Sequence, residues 1–274
     1  MKDRIGRVVI PFDSASDDAA AIDTAARLAA HANTPLHGIF VEDEELMCLA
    51  NLPFARQVTL GTGAEPLTVE RTEQQLHAAA ERARQNIAAA AEREGVAWSF
   101  EVVRGSPESA FSVVSERDLV VASALTRPIA GHFRVACRWW PSINIAPGPL
   151  LLARRAWEAP GAVLIMLRDQ SHGSVRLLEA AARIAEARNA NLTLVCTADC
   201  AGADQVESWA LEHLAQYSVP LRVELAPAEP SALPERVLEL DCRVLAIGAG
   251  SVEAGPDRIR DLVERLACDL LVVR

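Results

Sequence analysis

The same β-α-β opening is written twice in this chain. Asp13 and Asp169 each close a short apolar run, Arg7 to Phe12 and Ala162 to Arg168, and a shift of 156 residues relates the two. The match continues without a gap. Ala26-Arg27-Leu28-Ala29 falls on Ala182-Arg183-Ile184-Ala185, Asn33 on Asn189, Leu36 on Leu192 and Asp43 on Asp199. Duplication on this scale demands a unit that can be used twice, so the chain reads as residues 1–155 followed by residues 156–274, with Arg154 to Gly161 as the linker.

Each unit alternates short apolar runs with amphipathic stretches. In the first, strands are predicted at Leu36 to Val41, Trp98 to Val103, Leu119 to Ala122 and Pro149 to Ala153. Helices are predicted at Asp17 to Ala32, Thr68 to Glu94 and Pro107 to Glu116. In the second, the strands are Leu192 to Thr197, Leu221 to Leu225, Val244 to Ile247 and Leu270 to Val273. Its helices are Ser174 to Arg188, Val206 to Gln216, Ser231 to Glu239 and Pro256 to Leu266. Strands alternating with helices are the mark of right-handed βαβ units around a parallel sheet. The core this needs is available, since half of the residues are hydrophobic and only 4% aromatic. The expected architecture is α/β, two five-stranded domains in tandem.

The copies differ in length between Asp43 and Trp98, because Glu101 matches Glu224 at a shift of only 123. An insertion at about 44–66 therefore sits in the first unit. It holds an apolar helix or lid, Glu44 to Ala55, and then the Gly61-Thr62-Gly63 loop; a surface excursion, a lid over the strand ends and a partner surface all fit it.

Charge removes several functions. A formal net charge of −10, with neither unit basic, argues against nucleic acid or an anionic membrane as partner. Lys2 is the only lysine, so Schiff-base chemistry and a Walker-type phosphate lysine have no later residue to use. No apolar run reaches about 18 residues, and the N-terminus leads straight into a strand, which predicts a soluble, cytoplasmic protein. Six scattered cysteines suit reduced buried thiols. Cys196 and Cys200 lack a matching pair for a metal, so no metal is expected. The six histidines are dispersed and no hydrolase, zincin or dinucleotide motif occurs, so no catalytic residue is identified.

Ligands of open parallel sheets bind beyond the carboxyl ends of the strands. That directs attention to Asp13, Val41, Gly105 with Ser106, and the stretch from Ser123 to Cys137. Here the chain resembles the universal stress protein family, in particular its tandem members. The likeness is carried by the strand ending in Asp13, the long helix before Trp98, Asp118-Leu119-Val120-Val121 and the closing Gly148-Pro149-Leu150-Leu151-Leu152. The resemblance implies adenine nucleotide alpha hydrolase-like, Rossmann-like domains. It further implies that they form a pseudo-dimer through their last strands, Leu150–Leu152 against Leu270–Val273. For the nucleotide-binding branch it implies that Asp13 and Val41 hold an adenosine and that a G-x-x-G-x9-G-[S/T] loop wraps the phosphates.

The loop departs from that pattern. Its positions fall on Ser123, Thr126, Ala136 and Cys137, so all three glycines and the final hydroxyl are replaced. A side chain in left-handed geometry loses roughly 1–2 kcal/mol and keeps backbone N–H groups from a phosphate. Ser123 and Thr126 retain hydroxyls, and Arg127, His132, Arg134 and Arg138 are cations in the same stretch. In the second unit, Gly248-Ala249-Gly250-Ser251 keeps part of the loop. Pro256 and Asp257 stand at its end, where an anion repels phosphate. The expectation is a regulatory, stress-response protein acting through an unidentified protein partner, with weak or no ATP binding and no resident cofactor. The alternative is a sensor of adenine nucleotide or phosphorylated metabolite using the first-unit pocket. A slow nucleotide hydrolase is the third reading.

Overall fold

The computed structural model describes residues 5–13, 19–59, 63–124, 128–129, 133–134, 145–154, 157, 161–167, 169–196, 202–225, 239–249 and 268–274. The first half runs β1 (Val8–Phe12), α1 (Ala19–Ala32), β2 (Leu36–Asp43), α2 (Glu44–Ala50), β3 (Arg56–Thr59), β4 (Gly63–Pro66), α3 (Val69–Glu94) and β5 (Trp98–Gly105). A 3₁₀ segment (Pro107–Val113), β6 (Leu119–Ser123), the two-residue strands β7 (Pro128–Ile129) and β8 (Phe133–Arg134), and β9 (Leu150–Ala153) complete it. The second half follows with β10 (Ala162–Leu167), α4 (His172–Arg188), β11 (Leu192–Cys196), α5 (Ala203–Leu214), β12 (Leu221–Leu225), β13 (Cys242–Gly248) and β14 (Asp269–Val273).

One ten-stranded sheet spans the chain in the order β12-β11-β10-β13-β14-β9-β6-β1-β2-β5. Counting main-sheet strands within each half, both read 3-2-1-4-5, all parallel. The antiparallel contact is the junction, where Leu270, Leu271 and Val272 pair with Leu152, Leu151 and Leu150. The carboxyl ends of the two halves therefore point to opposite edges of the sheet. Strands β1, β6, β9, β11 and β14 are buried along their whole length, as a sheet covered on both faces requires. Helices α1, α3, α4 and α5 pack on one face. Ala110 and Phe111 of the 3₁₀ segment join the core on the other.

The duplicated asparagines end equivalent helices. Asn33 and Asn189 take φ of 50° and 51°, left-handed values that Asn tolerates better than most residues. Helix α3 is capped by Thr68, whose Oγ1 accepts from Arg71 N–H, and stops at Gly95 with φ 67°. Gly38 lets β2 pass under α3. A methyl there would stand 2.7 Å from Phe100 Cδ2 and nearer still to Ile87 Cδ1. Gly38→Ala is expected to destabilise the protein by about 1–3 kcal/mol through overpacking. Urea denaturation would show this as a lower midpoint at unchanged slope.

Three expectations are corrected. The helix expected over Pro107–Glu116 is a 3₁₀ segment ending at Val113. Ser112 Oγ donates back to Ser109 O (2.7 Å), and Ser115 N–H donates to Asp118 Oδ2 (2.9 Å), which turns the chain toward β6. The insertion carries a hairpin, β3 with β4, in addition to α2. Among the described cysteines, which are all free, Cys48 is exposed and Cys242 only partly covered, whereas Cys196 and Cys268 are buried as expected. The helices expected at 231–239 and 256–266 lie, apart from Glu239, outside the described residues. No helix among the described residues is long and apolar enough to cross a membrane.

Candidate functional site

Parallel register builds one edge of the first half. Phe12 pairs with Phe40, so Val41 lies level with Asp13 one strand away. On the other side Val8 pairs with Leu119 and Val9 with Val120, which places Ser123 level with Phe12. Asp13, Val41 and Ser123 thus come together at the carboxyl ends of three adjacent strands. Chain order reverses here, with β2 on one side of β1 and β6 on the other, and such a crevice is where open α/β sheets take ligands. Val41 and Ser123 are buried and Asp13 is half-buried. Thr126, Ala136 and Cys137 lie outside the described residues, as do Arg127, His132 and Arg138. Within that stretch β7 and β8 pair as a short antiparallel ribbon, which glycine spacing alone did not suggest.

The insertion starts at this same edge. Asp43 closes β2, and its carboxylate accepts from Glu45 N–H (3.0 Å) and Leu46 N–H (3.4 Å), capping α2. Beside it Glu42 is paired with Arg104 of β5 at 3.1 Å. An open cleft of about 650 Å³ lies between α2 and Ser106. It is lined by Glu44, Glu45, Cys48, Leu49 and Leu52. The apolar side chains here point outward, with Leu49 50% and Phe54 77% exposed.

The second half treats its aspartate differently. Asp169 Oδ1 accepts from Ser171 N–H (3.0 Å) and from Ser174 Oγ (2.7 Å), and Ser171 is itself the N-cap of α4. This carboxylate is engaged in starting a helix. At the position equivalent to Ser174 the first half has Asp18, a carboxylate rather than a hydroxyl. Among the described residues no group of three His, Cys, Asp or Glu side chains is placed to hold a metal ion.

The sequence reading missed a buried ion cluster where the halves meet. Asp269, at the start of β14, accepts from Arg154 N–H (2.8 Å) and lies 3.2 Å from Arg188 Nη2 and 3.5 Å from Arg243 Nη2. Asp269 and Arg243 are essentially inaccessible. The Arg188 guanidinium stacks on Trp157, 4.3 Å from the ring centre, and donates to Trp157 O. Burial brings the Arg188 pKa down to about 10 against the pull of Asp269, with Arg243 adding to the depression, so Arg188 still carries its charge at neutral pH. The place equivalent to Arg243 in the first half is Asp118, which pairs with Arg7 at 3.1 Å. Each lies two residues before the strand residue that pairs with an equivalent leucine of the seam, Val120 with Leu150 and Leu245 with Leu270. The same position thus carries opposite charges in the two copies.

Fold and site together define a tandem α/β protein whose two halves present the carboxyl ends of their strands at opposite ends of one sheet. No protein-family model matches the sequence, and no curated protein matches it. Solved structures do match. A universal stress protein from Archaeoglobus fulgidus DSM 4304 is similar over 99% of this chain and 97% of its own, with a TM-score of 0.68 at 10% identity. A functionally unknown protein from Pseudomonas aeruginosa PAO1 is similar over 99% and 93%, with a TM-score of 0.58 at 16% identity. The chain therefore has the fold of a tandem universal stress protein.

Proposed function

We propose that this is a regulatory protein of the stress-response type which works through contacts with another protein, and that its nucleotide affinity is weak or nil. The observation that carries the reading is α2 and the turn after it. An insertion that projects Leu49, Leu52 and Phe54 into solvent has the character of an interaction surface. The replacement of the loop glycines by Ser123, Thr126 and Ala136 supports weak nucleotide binding.

Leu49→Asp with Phe54→Asp should leave melting unchanged and remove the partner recovered by the parent chain in affinity capture. A partner bound equally by both would refute the surface. The nucleotide arm is read separately. Stabilisation grows as RT ln(1 + [L]/Kd), so millimolar ATP with magnesium is expected to leave the melting temperature fixed. The alternative reading, a sensor of adenine nucleotide or phosphorylated metabolite, draws support from Asp13, Val41 and Ser123 sharing one edge. A melting shift with ATP that Asp13→Ala abolishes would favour it.

A further inference from the structure

We propose that Cys242 and Cys268 form a redox-active dithiol, which a hydroperoxide converts into an intramolecular disulfide across β13 and β14. Cys242 opens β13 and Cys268 directly precedes β14, and the two are adjacent parallel strands. Neighbouring strands stand roughly 4.8 Å apart, inside the window of about 4.4–6.8 Å between the Cα atoms of a disulfide. The two thiols are hydrogen-bonded to one another, so the fold already holds the sulfurs side by side.

A bulge creates this pairing. Ala162 of β10 pairs with Cys242 while Val163 pairs with Val244, which leaves Arg243 as the extra residue. Side chains alternate between faces along a regular strand, and one inserted residue reverses the alternation beyond it. Val244 and Ala246 belong to the core under the helices, and in a regular strand Cys242 would join them. Instead it packs against the opposite core, the one that holds Leu245, Leu270 and Cys268. The displaced Arg243 reaches Asp269, the residue next to Cys268. Of the other described cysteines, Cys196 lies in the helix-side core and Cys48 is exposed on α2, so neither competes for the pair.

The two sulfurs differ in their surroundings. Cys268 is essentially inaccessible, whereas Cys242 is partly exposed. The Cys242 S–H donates to Cys268, which holds the Cys268 thiol below its ordinary pKa and raises that of Cys242. Passage of the shared proton along that hydrogen bond puts thiolate on Cys242, the sulfur that a small peroxide can reach. Cys242 Sγ bonds to one peroxide oxygen and the O–O bond breaks. The leaving oxygen takes up the proton the pair released and departs as an alcohol, or as water from hydrogen peroxide, and a sulfenic acid remains. Cys268 Sγ then attacks the sulfenic sulfur, the S–O bond breaks, and water departs with the Cys268 proton. The two sulfurs give up two electrons and the peroxide accepts them. The new bond ties together the residues that precede Arg243 and Asp269, so oxidation braces the ion pair at the seam.

The test treats the full chain at micromolar concentration with millimolar hydrogen peroxide, alkylates the remaining thiols in denaturant and maps tryptic peptides without reduction. Cleavage at arginine releases Cys242 in Val237 to Arg243 and Cys268 in Leu266 to Arg274. These two peptides are expected as one linked species, at least tenfold more abundant than any other intramolecular cysteine pair and separated by dithiothreitol. The same oxidation in urea should scatter the links among the six cysteines. The proposal is overturned if both thiols are still alkylated after peroxide, if Cys242 is joined chiefly to another cysteine, or if the selectivity persists in urea. Cys268→Ser should stop Cys242 at the sulfenic acid, captured by dimedone, while Cys242→Ser leaves Cys268 unmodified; capture at Cys268 instead would refute Cys242 as the sulfur that meets the peroxide. The peptide map of the parent needs no variant to fold.

Discussion

Asp269→Ala should destabilise the protein by about 3–5 kcal/mol, the range for removing one partner of a buried ion pair. Asp269 is the anion shared by Arg188 and Arg243 and the acceptor for Arg154 N–H. Without it two guanidiniums remain in the same buried place, repelling one another, beside a strand end that has lost its acceptor. The pair is not itself a large source of stability, because desolvation already outweighs attraction at Arg188. The damage comes from what the substitution strands. Replacing Asp269, Arg188 and Arg243 together by apolar residues of similar size should therefore recover most of the loss. Guanidinium chloride denaturation at neutral pH measures both, and a single-variant loss below about 1 kcal/mol, the scale of an exposed pair, would contradict the buried-cluster account.

A fragment ending at Arg155 should self-associate. In the whole chain Leu150, Leu151 and Leu152 are fully buried, with β6 on one side and β14 on the other. Removing the second half bares the outer edge of β9, an apolar row with unpaired backbone groups that invites another strand. The duplicated design offers an obvious partner, a second copy of the fragment joined through the same antiparallel register. Sedimentation should show dimers or larger species at micromolar concentration. A folded, monomeric fragment would mean that the seam is not needed to complete the unit.

Much of this was legible in the residues. The strand following each helix stop was visible because Asn33 and Asn189 repeat in the sequence and take the same left-handed backbone conformation. The buried strands announced themselves as short apolar runs. The meeting of Asp13, Val41 and Ser123 followed from parallel topology, since parallel strands deliver their carboxyl ends to one edge. The 3₁₀ segment was read as a helix because serine back-bonding and the Ser115–Asp118 contact depend on local geometry, which periodicity does not register. The β3–β4 hairpin carries too few apolar residues to produce a strand signal.

Sequence alone determined the duplication and the class of fold, because these depend on residue type and spacing along the chain. Tertiary structure decided how the copies differ in use. Asp269 finds Arg188 across 81 positions, and Asp169 is taken up by the start of α4. The physical reason is that charge pairing is set by distance in space, and neighbours across a folded sheet leave no periodic trace in the order of residues.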